Sequence, residues 1–265
     1  MKIIGNGFLS IQGQVEAKRL STILTPLLDI VEEAINLCHS GLSSVLIFSQ
    51  VTEVEKQRAI SCVMLARLLE ISESMVMLSK AGFSVEVMAS MRNFLDAYFI
   101  FGNVCKNPSF IPQYFNTDLK AREKLIKVAD KHKEALFEQI KNYASDEVRD
   151  ELKAKIDSVN ASEFNSYEYA KNVGCVAIYD SIYRISSAAT HSTPRSLAAY
   201  VKENENGEIV ELYRGPQLDD IPASLYNVGT FLLTVRSAFD ELFDIESTGE
   251  IMRLRSKFDS AIIIE

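Results

Sequence analysis

The sequence predicts an all-α protein, a multi-helix bundle carrying one small β-hairpin near residues 197–214. Three observations carry this. Glycine and proline are scarce, 11 and 6 in 265 residues, so they punctuate long segments rather than fill them. Between them, apolar residues recur at three- and four-residue steps, the helical period. One place only, Asn206-Gly207, reads as a two-residue hairpin turn between strand-like runs. With 47% hydrophobic residues and this length, a core can form without staples, and we read one helical domain over residues 1–265.

The elements follow in order. Val15–Cys38 has apolar residues at Leu20, Ile23, Leu24, Leu27, Leu28, Val31, Ile35 and Leu37, an amphipathic helix. Thr52 and Glu55 form a capping box, and the helix they open runs to about Lys80 before Gly82. Ser84 caps a third helix reaching Gly102-Asn103, and Pro108 and Pro112 mark a connection. Thr117–Tyr143 is a charged helix with Lys120, Lys124, Lys127, Lys131 and Lys133 on a solvated face. Ser145–Val159 is shorter. Ser166–Ser192 is long and more apolar, stopped by Pro194. Strands Leu197–Glu205 and Glu208–Arg214 pair with Tyr200 facing Tyr213 and Val201 facing Leu212. Pro222 starts a helix to about Phe243, and a last one covers Gly249–Ile263.

Charge and cysteine usage exclude several classes. Lys and Arg total 28 against 36 Asp and Glu, a net charge of −8, so bulk charge does not hold this chain to nucleic acid; a local basic site remains open. Cys38, Cys62, Cys105 and Cys175 are far apart and form no C-x-x-C pair. Buried reduced thiols in a cytosolic protein are the expectation, with a disulfide pair formally open. His39, His132 and His191 sit at no zinc-finger spacing from them. The start lacks a signal-peptide core and no apolar window reaches 18 residues, so the expected location is cytoplasmic, away from membranes. Phosphate-loop, dinucleotide and zincin motifs do not occur, and neither cofactor nor metal is expected.

One constellation carries chemistry. Tyr179, Tyr183, Ser187 and His191 recur at four-residue steps in the helix Ser166–Ser192. Each step of four advances about 40° around an α-helix, so they form one polar stripe. Ile178, Ile182, Ile185 and Ala189 are expected to supply the core face. Arg184 stands seven residues before His191, about 20° off the same line. On the third helix Arg92 and Asp96 are neighbours amid Val87, Met88, Met91, Phe94, Leu95, Tyr98 and Phe99, a charged pair that must be partly buried. A polar stripe on an apolar helix requires a polar partner, so His191 is expected near Arg92 or Asp96.

The run Met91-Arg-Asn-Phe-Leu-Asp-Ala-Tyr, with the Tyr179, Tyr183, Ser187 and His191 ladder, resembles a widespread bacterial helical family of unknown function. The resemblance covers about residues 50–200, with Asp96 where Glu is more usual. Arg184 and His191 also resemble the Arg-x4–6-His pattern of HEPN ribonucleases. That resemblance implies a HEPN-like bundle and a metal-independent endoribonuclease in toxin or phage-defence function, with Arg184 and His191 catalytic. It also implies a homodimer sharing the site, an RNA substrate and an antitoxin or other defence partner.

The residues themselves support several roles. His191 can act as base or acid near neutral pH. Arg184 or Arg92 can bind a phosphate oxygen bidentately, with Tyr183, Ser187, Tyr179 and Asp96 in support. The same residues fit a non-catalytic interaction or regulatory bundle held by a structural network, or a pocket for a small ligand or nucleotide. The terminal Ile262-Ile263-Ile264 and the hairpin edge add to the expectation of a homodimer.

Overall fold

The computed structural model describes residues 1–45, 52–191 and 193–261. Helices build the body, with one small sheet. Helix α1 (Ile11–Ser44) starts on Ser10, whose hydroxyl accepts from the Gly13 N–H, and it runs through Pro26. Helix α2 (Glu53–Lys80) opens on the expected Thr52/Glu55 capping box. Gly82, at φ +77, lets the chain turn into α3 (Ser84–Lys106). Ser84 is the first residue of that helix rather than its cap; Phe83 holds the cap position.

Helix α3 is the central element. It packs on α2 and on α11 (Ile221–Phe243), while α1 lies against α2, α11 and α12 (Thr248–Ala261). Phe94, Phe99 and Phe101 of α3 are fully buried with Leu65, Leu68 and Leu69 of α2 and Phe239 of α11. Pro222 falls in the first turn of α11 as expected. Residues 262–265 lie outside the described residues, and with them the expected docking of Ile262-Ile263-Ile264.

Helix α4 (Phe110–Lys131) begins earlier than expected and takes Pro112 into its first turn, where a missing N–H breaks no helical bond. The charged helix expected to reach Tyr143 ends instead at His132, whose backbone is extended. A single 3-10 turn (Ala135–Phe137) and α5 (Glu138–Tyr143) follow, with the His132 ring stacked on Phe137 at 4.8 Å. Helix α6 (Asp146–Val159), capped by Ser145, folds back on α4.

The helix expected over Ser166–Ser192 is not continuous. Helix α7 (Ser166–Asn172) ends at Gly174, φ +77, where Gly174 N–H bonds Lys171 O and Cys175 N–H bonds Ala170 O. These two bonds are a Schellman motif, which satisfies the last carbonyls of a helix and stops it. Helix α8 (Val176–Ile178) is one short piece, the next segment (Tyr179–Tyr183) is π-helical, and α9 (Arg184–Thr190) resumes the α form. Ser192, the expected end, lies outside the described residues.

After α10 (Pro194–Leu197) comes the sheet. Strand β1 (Lys2–Ile4) runs parallel to β3 (Ile209–Tyr213), and β2 (Val201–Glu203) runs antiparallel on its other side. Val201 pairs with Leu212 as expected, but Tyr200 lies in a 3-10 turn before the ladder. The turn has three residues rather than two. Asn204 N–H bonds Glu208 O, Gly207 N–H bonds Asn204 O, and the Asn204 side chain accepts from the Asn206 and Glu208 N–H groups. That side chain widens the loop, and Gly207 at φ +77 closes it as a bulge. The N-terminal strand completes the sheet and had no sequence signal.

Candidate functional site

Helix α3 brings Arg92 and Asp96 together one turn apart as an ion pair, both mostly buried, with side-chain exposures of 21% and 24%. Helix α9 and the π-helical turn lie across them. Arg92 Nε donates to Ser187 Oγ at 3.0 Å, and its guanidinium lies 4.0 Å from the centre of the Tyr183 ring. Asp96 Oδ1 accepts from the Tyr183 hydroxyl at 3.2 Å and from Ser166 Oγ at 2.7 Å. Each charged group therefore has hydrogen-bond partners besides its counter-ion, which a partly buried pair requires.

The π-helical turn decides which residues meet. In an α-helix a four-residue step overshoots one turn by about 40°, so the ladder would wind off its face. Closing on residue i+5 puts more than four residues in the turn, so the step from Tyr179 to Tyr183 falls short of a full turn instead. The two rings stack, 4.5 Å between centroids with planes 21° apart, and Tyr183 and Ser187 both reach Arg92. The expected core face is kept only in part. Tyr183 and Ser186 are buried, whereas Ile185 is 41% exposed. Ile178 and Ile182 keep partial contact with the core.

Burial also sets the titration of the groups. It lowers the Arg92 pKa, against the pull of the Tyr183 and Tyr179 hydroxyls, though a guanidinium stays charged regardless. Burial raises the Tyr183 pKa, against Ser166 and Arg92, so Tyr183 is a neutral phenol able to donate to Asp96. Phe99, on the core side, lies 5.9 Å from the Tyr183 ring.

Arg184 and His191 stand apart from this network. Arg184 pairs with Asp180 at 3.1 Å, lies 5.7 Å from the Tyr179 ring centre and keeps 66% of its side chain exposed. His191 is exposed at the C-terminal cap of α9 and makes no hydrogen bond or ion pair among the described residues. The expected polar pairing thus holds through Ser187 and stops there. Arg184 and His191 are separated by seven residues, about 10 Å along the helix axis. Among the described residues no three His, Cys, Asp or Glu side chains converge as metal ligands, and all four cysteines are free thiols.

The profile of a family of unknown function (DUF5677) matches residues 58–209, more than half of the chain. The chain belongs to the DUF5677 family. The matched span holds Arg92, Asp96 and the whole ladder, close to the 50–200 expected from the motifs. It omits α1, α11 and α12, yet α11 covers the back of the site helix: Phe231 lies 5.2 Å from Tyr98 and 6.4 Å from Phe94. No curated protein and no solved structure matches the chain.

Ser166 is the network member that sequence reasoning missed. It was visible only as the start of a helix. Its role depends on the break at Gly174, which turns α7 so that its first residue reaches Asp96.

Proposed function

We propose that this DUF5677 protein is a HEPN-like, metal-independent endoribonuclease. Its working face is the exposed side of α9, with Arg184 and His191 handling the phosphodiester. Arg92, Asp96, Tyr183, Ser187 and Ser166 act as the network that holds this helix in place. The observation that supports the reading is the division of the polar residues. The Arg92 guanidinium is engaged by Asp96, Ser187 and Tyr183, whereas Arg184 and His191 face solvent where a strand can reach them.

In this chemistry the RNA 2′-OH attacks the adjacent phosphorus and the bond to the 5′-oxygen breaks. The products are a 2′,3′-cyclic phosphate and a free 5′-hydroxyl. A base takes the 2′ proton, an acid gives one to the leaving oxygen, and a guanidinium holds the phosphorane charge. One histidine cannot do both jobs in one step, so a homodimer presenting two copies of α9 fits the requirement. The protein would act in the cytoplasm, in toxin or phage defence, opposed by an antitoxin or regulated by another defence partner.

Purified protein should cut single-stranded RNA in EDTA and leave 2′,3′-cyclic ends. His191→Ala should slow cutting by about 10²-fold or more. Arg184→Ala should abolish cutting while the melting temperature holds. A closed network also suits a second reading, a non-catalytic interaction bundle, because Arg92 and Asp96 satisfy one another and their neighbours. Unchanged cutting in His191→Ala, or no cutting of any RNA by folded protein, selects that second reading.

A further inference from the structure

We infer that α4, α5 and α6 form a binding site for a small carboxylate with an apolar body, such as a medium-chain fatty acid. The site is built apart from the α9 face, and the inference holds whether or not the chain cuts RNA.

These three helices close a small core of their own. Leu119 and Ile126 of α4 and Ile156 of α6 are buried, yet away from the main core cluster. Helices α5 and α6 both pack on α4 or fold back along it. Only Ala144 and Ser145 separate α5 from α6, and Ala144 is buried, so the two helices meet at that end. The space between them is a wedge with α4 as its floor. It encloses about 390 Å³, inside the roughly 300–1,000 Å³ that small-ligand sites occupy. Ile140 lines one wall, Val148 and Leu152 the other, and Leu119, Leu125 and Ile126 the floor. A wedge closed at one end takes the end of a small molecule, whereas a docked helix needs a groove long enough for successive turns.

The charges say which molecule. Arg149 holds Asp130 through bonds of 2.7 and 2.9 Å, which ties α4 and α6 together near the closed end. Arg122 stands eight residues back along α4 and Lys155 six residues on along α6. Both therefore lie about 9–12 Å toward the open end, and both line the cavity. Lys155 has no side-chain partner among the described residues. Arg122 pairs with Asp118, and both of those side chains are more than half exposed, so the guanidinium can turn to a ligand. Gln139 adds a neutral donor to the lining. Glu151 lies one turn nearer the closed end than Lys155, so it repels an acid head group from the interior and keeps it at the mouth. Aliphatic walls inside and two cations at the mouth complement an apolar acid.

The test uses octanoate, with octylamine as the same chain carrying the opposite charge. Isothermal titration calorimetry of full-length protein should show saturable binding of octanoate and binding of octylamine weaker by about tenfold or more. Lys155→Gln changes an exposed helix position and should melt with the parent. It should raise the octanoate Kd about tenfold, the value of one lost charge-assisted hydrogen bond. Methyl NMR places the ligand: octanoate should shift Ile140, Val148 and Leu152 and leave Ile185 of α9 unmoved. Equal Kd for the two probes, an unchanged Kd in Lys155→Gln, or methyl shifts outside the wedge overturns the site. Capture by phosphatidylglycerol vesicles without binding of free octanoate assigns the surface to a membrane and overturns it as well.

Discussion

Arg92→Ala tests the network that ties α9 to α3. The substitution removes the ion pair with Asp96, the 3.0 Å bond to Ser187 and the cation over Tyr183. Breaking a fully buried pair from one side costs about 3–5 kcal/mol, because the remaining charge is stranded. Here Asp96 keeps two donors, Ser166 and Tyr183, and is about a quarter exposed. The expected cost is therefore lower, about 2–3 kcal/mol. At about 2–4 °C per kcal/mol for a chain of this size, the melting temperature should fall by about 5–10 °C. Calorimetry or circular dichroism measures it. The control is the double variant Arg92→Met/Asp96→Leu. Replacing both charges with apolar groups of similar size leaves no stranded carboxylate, so the double variant should melt above Arg92→Ala. A single variant that melts within about 1 °C of the parent, or a double variant that melts below the single, refutes the reasoning.

Three further outcomes follow from the same physics. Arg236 and Asp240 are almost completely buried, paired at 2.6 Å, with Ser247 on the carboxylate and Leu37 O and Ser40 on the guanidinium, so Arg236→Ala should cost about 3–5 kcal/mol by denaturant unfolding. A Cβ at Gly229 would lie 2.2 Å from the fully buried Phe258 ring, so Gly229→Ala should separate α11 from α12 and cost about 1–3 kcal/mol in a thermal melt. Burial raises the pKa of Tyr98, Tyr114, Tyr169 and Tyr183, so the folded chain holds those protons more tightly than the unfolded one. Their contribution to stability is complete below about pH 10 and is lost as pH rises beyond it; melting temperature against pH should fall there, and less steeply in Tyr98→Phe.

Sequence periodicity and capping placed most of the helices, because those signals are local. Thr52 with Glu55, Ser145 and Pro222 each mark a helix start by chemistry that acts within one turn. The polar ladder and the Arg92/Asp96 pair were equally legible, since spacing and the cost of burying charge require them to meet something polar. What the spacing could not contain was the break at Gly174 and the π-helical turn after it. A glycine inside an apolar helical pattern is compatible with continuation; here Gly174 takes φ +77 and closes a Schellman motif, and α7 and α9 pack as separate pieces against α3. The turn then brought Tyr179 onto Tyr183, faced Tyr183 and Ser187 inward, and left Ile185 outside. Ser166 joined Asp96 only through that rearrangement, and β1 joined β3 across more than two hundred residues. Local chemistry therefore determined which residues are polar, capped or apolar. Long-range packing decided which of them touch, because contacts between distant segments form only when the whole core closes.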